Sequence, residues 1–138
     1  MRILIVEDNF TDRKILQKIF SEYGECDIAV DGQEAIDAFE KSWMKCRPYD
    51  LICMDIMMPK VNGLQALKMI REKEKGKDIN ESERVRIIMI TAVDDPKIVY
   101  KACNIFGVKS YIVKPIDKKR LLDEVRKLGL INESYAKL

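Results

Sequence analysis

The stretch Leu51-Ile52-Cys53-Met54-Asp55 decides the fold, because four apolar residues in succession end at a single carboxylate. An uninterrupted apolar run of this length is typical of a strand that a parallel sheet buries on both faces. Three similar runs end at polar residues that suit a phosphate-handling site, namely residues 3–6 before Glu7 and Asp8, residues 87–90 before Thr91, and residues 111–113 before Lys114. If the runs are parallel strands, three carboxylates, a hydroxyl and an ammonium meet at one edge of the sheet.

Amphipathic segments follow the apolar runs and predict a helix after each strand. Apolar residues recur at helical spacing in five segments: 10–23, the segment after Gly32, 64–70, 96–106 and 118–128. Residues 25–30 form a further, more polar strand, which we expect at the sheet edge. This alternation predicts an α/β fold, a doubly wound five-stranded parallel sheet of order 2-1-3-4-5, flavodoxin-like (βα)5. In that order strands 1 and 3 are neighbours, so Asp8 lies beside Asp55.

Length and composition indicate one domain without a strong electrostatic field. The chain has 138 residues and a net charge of +2, so bulk charge implies neither direct nucleic-acid binding nor attraction to a membrane surface. The longest apolar runs are too short to span a bilayer, and the N-terminus lacks the apolar core of a signal peptide, so we expect a cytoplasmic protein without membrane insertion. We expect the domain to occupy residues 1–130, with residues 131–138 as a tail or helix extension. The polar stretch 71–86 predicts a helix end and a long exposed loop.

The predicted acidic cluster needs a cation. Carboxylates brought together repel one another and resist ionisation unless positive charge offsets the repulsion. Mg²⁺, or Mn²⁺ with similar oxygen ligands, suits Asp8, Asp55 and a backbone carbonyl, with Glu7 acting directly or through water. Four cysteines without CxxC spacing and the lack of histidine argue against a zinc site, and we expect the cysteines in the core or at its edge.

These residues give the chain its resemblance to response-regulator receiver domains, most closely the stand-alone kind. The resemblance covers about residues 2–129. It is carried by five pieces in order: Glu7-Asp8, Met54-Asp55-Ile56-Met57-Met58-Pro59, Asn62-Gly63, Thr91-Ala92 and Lys114-Pro115.

The resemblance implies a role for each of these positions. Asp55 is the expected phosphoacceptor, and Asp8, Asp55 and the backbone carbonyl of Met57 are the expected metal ligands, supported by Glu7. Lys114, with a cis bond to Pro115, is expected to engage the acyl phosphate. Thr91 is expected to move toward the phosphate while Tyr111 changes rotamer, so that the face of the fourth helix, fifth strand and fifth helix changes its affinity for a target protein.

The resemblance also implies the partners. Because the chain has no histidine, the phosphoryl donor is expected to be a sensor histidine kinase or a histidine phosphotransfer protein. The sequence does not separate a terminal regulator from a phosphorelay shuttle, nor a monomer from a phosphorylation-dependent dimer. In this family the residues two after the phosphoacceptor and two after the threonine influence attack by water. Here they are the apolar Met57 and Val93, which predicts slow self-dephosphorylation.

Other interpretations of the same residues stay open at this point. A phosphatase with an aspartyl-phosphate intermediate typically carries a second acid where this chain has Met57, and a flavodoxin-like cofactor carrier has a less acidic loop after strand 1. Asp55 alone suits a cap, Lys114 a simple salt bridge, and Thr91 and Tyr111 ordinary strand positions.

Overall fold

The computed structural model describes residues 1–132 and shows a five-stranded parallel sheet in that range. The strands are β1 (Arg2–Val6), β2 (Glu25–Ala29), β3 (Leu51–Met54), β4 (Arg86–Thr91) and β5 (Ser110–Val113). Their order is β2-β1-β3-β4-β5, and each neighbouring pair is parallel. The predicted strand order is therefore confirmed, with the more polar β2 at an edge.

A helix or helical segment follows each strand. The α-helices are α1 (Phe10–Phe20), α2 (Gly32–Met44), α3 (Gly63–Gly76), α4 (Pro96–Tyr100) and α5 (Lys118–Lys127). A π-helical segment, Lys101–Ile105, continues α4, and a 3-10 turn, Glu81–Glu83, precedes β4. The side chains of Asp95 and Asp117 accept backbone N–H groups and cap the starts of α4 and α5. The first helix is shorter than the 10–23 prediction.

Two apolar layers enclose the sheet, one on each face. Leu4, Val6, Ile52 and Met54 belong to the layer that α2 and α3 cover, whereas neighbouring residues of β1 and β3 belong to the layer that α1 and α5 cover. Because β1 and β3 are buried on both faces, their sequences can be apolar without alternation. This burial explains why their polar residues appear only where the strands end.

The polar stretch 71–86 forms a helix end and a mostly exposed connection, as predicted, but three of its residues are buried. α3 extends to Gly76, and Glu74, Ile79 and Val85 are buried. Glu74 is 0% exposed, and both of its carboxylate oxygens have hydrogen-bond donors. Arg71 Nη1 donates to its Oε1 at 2.7 Å, and the backbone N–H of Val85 donates to its Oε2 at 2.7 Å. A charged side chain thus anchors the connection between α3 and β4.

The C-terminal end of the predicted domain packs against the sheet. Leu130 and Ile131 pack against the apolar layer under α1 and α5. Residues 133–138, most of the predicted tail or helix extension, lie outside the described residues. No helix in residues 1–132 is both long and apolar enough to cross a bilayer.

Candidate functional site

Backbone pairing continues just beyond the strands and fixes the positions of the polar residues that follow them. The N–H of Glu7 donates to the carbonyl of Ala29 at 3.0 Å, and the N–H of Asp55 donates to the carbonyl of Val6 at 3.0 Å. The N–H of Lys114 donates to the carbonyl of Thr91 at 2.8 Å. The four predicted strand ends therefore meet at the carboxyl edge of the sheet.

Glu7, Asp8 and Asp55 form a compact acidic cluster at this edge. One carboxylate oxygen from each residue lies within 4.8 Å of the others. Glu7 and Asp55 are buried, with 1% and 6% exposure, whereas Asp8 is exposed. Carboxylate oxygens are ligands that a hard divalent cation prefers, and Asp8 opens the cluster to solvent. The donor set therefore fits Mg²⁺ or Mn²⁺.

Lys114 places an ammonium against this cluster. Its Nζ donates to Glu7 Oε1 at 2.7 Å, to Asp12 Oδ2 at 2.8 Å and to Asp55 Oδ2 at 3.0 Å. The peptide bond to Pro115 is cis, as predicted. The sequence prediction gives no role to Asp12, which the structure places in the first turn of α1.

The crowding of carboxylates changes their electrostatics. Burial raises the pKa of Glu7 to about 7, with the charge of Asp55 acting in the same direction and the hydrogen bond from Lys114 opposing it. Burial by itself lowers the pKa of Lys114, but the hydrogen bonds to Asp12, Glu7 and Asp55 raise it by more, so the net shift is upward. Lys114 is therefore charged at neutral pH, while Glu7 is poised between its two protonation states in the metal-free protein.

Asp55 also organises the turn that follows it. Its Oδ1 accepts the backbone N–H of Ile56 at 2.7 Å and that of Met57 at 3.3 Å. The capping interpretation of Asp55 is thus correct as a description of one oxygen, while the other oxygen faces Lys114. The side chain of Met57 is 66% exposed at the rim of the site.

Gly63 brings α3 against the Asp55 loop. Its N–H donates to the carbonyl of Ile56 at 2.9 Å. A Cβ atom at position 63 would lie 2.0 Å from the backbone oxygen of Asp55, a separation that atoms do not tolerate. The close approach therefore requires glycine.

Thr91 and Tyr111 are linked through the backbone of Val93. The hydroxyl of Thr91, which is fully buried, accepts the N–H of Val93 at 3.3 Å. The hydroxyl of Tyr111 donates to the carbonyl of Val93 at 2.7 Å, and burial raises the pKa of Tyr111 to about 12. A movement of the segment after β4 would therefore reach both side chains.

Comparison with known proteins agrees with this geometry. The response regulator receiver domain family matches residues 3–126. The chemotaxis protein CheY of Treponema pallidum is 37% identical over 126 residues, which make up 90% of this chain and 79% of that protein. The osmosensing histidine protein kinase SLN1 of Saccharomyces cerevisiae is 33% identical over 123 residues, which make up 88% of this chain and 9% of that protein.

A solved structure gives the same result in three dimensions. The CheX-CheY-BeF3-Mg²⁺ complex from Borrelia burgdorferi aligns with a TM-score of 0.79 and 32% identity, over 94% of this chain and 89% of that chain. The family match covers all four strand ends that form the acidic edge. This chain therefore belongs to the response regulator receiver domain family and is a CheY-like domain of two-component signalling.

Proposed function

We propose that Asp55 accepts a phosphoryl group and that the modified domain changes its binding to a target protein. The observation that carries the proposal is the acidic cluster of Glu7, Asp8 and Asp55 in direct contact with the Lys114 ammonium. A carboxylate nucleophile needs positive charge nearby, because its reaction partner is itself an anion.

Glu7, Asp8, Asp55 and the backbone carbonyl of Met57 would hold Mg²⁺ or Mn²⁺. When bound, the metal supplies positive charge that offsets both the clustered carboxylates and the oxygens of the transferring group. The Borrelia burgdorferi relative forms a complex with BeF3 and Mg²⁺, which supports a metal in this family's acidic pocket.

The chain's own groups then account for the transfer. An Asp55 carboxylate oxygen attacks the phosphorus of a phosphohistidine on a sensor kinase or a histidine phosphotransfer protein. The new O–P bond forms as the P–N bond breaks, and the imidazole nitrogen keeps the electron pair. Lys114 offsets charge on the transferring oxygens, and the Thr91 hydroxyl, which accepts from Val93, can donate its own hydrogen to one of them.

The output surface would be the face of α4, β5 and α5. Tyr111 lies on β5 and reaches Thr91 through Val93, so a rotamer change of Tyr111 would follow movement of Thr91. Tyr100 and Ile105, in and just after α4, are 63% and 61% exposed and offer apolar contact to a target protein. The domain would work in the cytoplasm, as a monomer or a phosphorylation-dependent dimer, and without turnover of an external substrate.

Phosphorylation by a small phosphodonor tests this function directly. We expect acetyl phosphate with Mg²⁺ to add one phosphoryl group, measured by intact mass, and EDTA to prevent the addition. Asp55→Asn should abolish the labelling. Asp37→Asn, an exposed aspartate on α2, is the matched control and should be labelled like the wild type. Labelling that survives Asp55→Asn would refute the assignment.

A further inference from the structure

Asp12 is a fourth carboxylate at the site, separate from the acidic cluster of Glu7, Asp8 and Asp55. It lies in the first turn of α1, its side chain is 27% exposed, and its Oδ2 is 2.8 Å from Lys114 Nζ. Among the described residues, the group whose oxygens could share a metal ion is Glu7, Asp8 and Asp55, and it does not include Asp12. Asp12 therefore contacts the ammonium from outside the metal-fitting group.

This contact bears on how Lys114 can engage a phosphoryl group. An ammonium has three hydrogens, and Glu7, Asp12 and Asp55 each accept one. Glu7 and Asp55 would turn oxygens toward a bound metal, which weakens their hold on Lys114. Asp12 lies outside the group that could share a metal ion, so a bound metal would not weaken its hydrogen bond with Lys114 in this way.

We propose that Asp12 is a positioning residue that holds Lys114 in the resting site and competes with the phosphoryl group for it. This inference rests on the proposed function of Asp55. A carboxylate at this point repels the phosphoryl anion and offsets part of the positive charge of Lys114. The same negative charge attracts the metal cation. Asp12 thus favours the metal-bound resting site over the phosphorylated one.

The proposal predicts effects of opposite sign on two ligands. Asp12→Asn should weaken Mg²⁺ binding and, at saturating Mg²⁺, should strengthen binding of BeF3⁻, the stand-in for a phosphoryl group. Each effect should be about fivefold, the ratio that corresponds to a partly exposed ion pair of about 1 kcal/mol. A purely structural role at the start of α1 predicts that both ligands bind more weakly.

Calorimetric titration of the full chain with Mg²⁺ and then with BeF3⁻ makes the test. Asp12→Glu, which keeps the charge, should restore both affinities toward the wild type. Glu22→Gln changes the net charge equally beyond the other end of α1 and should leave both affinities unchanged. If Asp12→Asn weakens both ligands, or changes neither while the wild type binds both, the proposal is overturned.

A second background shows whether Asp12 acts through Lys114. In Lys114→Met, the gain in BeF3⁻ affinity from Asp12→Asn should shrink to less than half. An equal gain in both backgrounds would overturn the competition for Lys114. Failure of the wild type to bind BeF3⁻ would instead defeat the proposed function, and this inference with it.

Discussion

Buried charge occurs at both edges of the sheet, but it is balanced at one edge and unbalanced at the other. Near the amino ends of β4 and β5, Glu74 has one guanidinium and one backbone N–H as partners, and Arg71 Nε also donates to the carbonyl of Phe106 at 2.8 Å. At the carboxyl edge, one ammonium, that of Lys114, lies at hydrogen-bond distance from three carboxylates, those of Glu7, Asp12 and Asp55. A balanced pair fastens a connection, whereas an excess of carboxylates leaves a site that gains from binding a cation.

The largest difference between the edges should appear in the free energy of unfolding when the basic side chain at each edge is replaced by methionine. Arg71→Met leaves the fully buried Glu74 without its guanidinium, and we expect the free energy of unfolding to fall by about 3–5 kcal/mol. Lys114→Met should cost less, because Glu7, with its pKa raised to about 7, can take up a proton instead. Urea denaturation at pH 7 in EDTA measures both. Equal losses would break the distinction between the edges.

A pH series isolates the unbalanced edge. The folded metal-free protein keeps a proton on Glu7 to about pH 7, whereas in the unfolded chain Glu7 releases it near the ordinary value of 4.5. Unfolding therefore releases a proton between these values, so stability falls as the pH rises through this window. Between pH 5.5 and 7.5 the wild type should lose up to about 2 kcal/mol more than Glu7→Gln in urea denaturation. Parallel curves for the two proteins would contradict the raised pKa.

Added metal should stabilise the protein through the carboxyl edge and not through the edge that holds Arg71 and Glu74. Millimolar Mg²⁺ should raise the melting temperature of the wild type, because the ion binds the folded site. Asp8→Asn should reduce this shift and should raise the melting temperature in EDTA, since it relieves repulsion within the cluster. Arg71→Met should keep the wild-type shift despite its lower stability. Calorimetric melting with and without Mg²⁺ gives the result, and an unchanged response in Asp8→Asn would argue against a metal at this cluster.

The smallest effect concerns the rim of the carboxyl edge. The side chain of Met57 cannot hold a water by hydrogen bonding, so we expect Met57→Asn to speed hydrolysis of the acyl phosphate about threefold. A threefold change corresponds to less than the roughly 1.4 kcal/mol of activation free energy that gives tenfold. Decay of the phosphorylated protein after removal of the phosphodonor measures the rate. Met44→Asn, at another exposed methionine at the end of α2, should decay like the wild type. A slower or unchanged rate in Met57→Asn would contradict the idea.

Elements with a strong local pattern could be predicted from the sequence. Strands that are buried on both faces of a parallel sheet form nearly continuous apolar runs. The charged residues Asp55 and Lys114 therefore mark strand ends, even when their contacts are unknown. The order of the strands then brings Glu7, Asp8 and Asp55 together. The roles of Met57, Thr91 and Tyr111 in metal binding and switching remain predictions.

Contacts between distant segments could not be predicted in this way. Asp12 and Lys114 are 102 positions apart, and nothing in the helical pattern of α1 shows that its first turn reaches the loop after β5. Glu74 lies in a stretch of charged residues, and its burial depends on Arg71 and on the Val85 N–H, 11 positions further on. Hydrophobic periodicity reports which residues avoid water, but it does not report which charged groups are paired.

Gly63 shows how a residue without a functional group can control the chemistry of another. Since even a methyl group at this position would collide with the backbone oxygen of Asp55, any substitution must displace the segment that carries the Asp55 carboxylate. Glycine at position 63 thus fixes where the Asp55 carboxylate lies relative to Lys114. The geometry of the site therefore depends on steric contact at Gly63 as well as on the charges around Lys114.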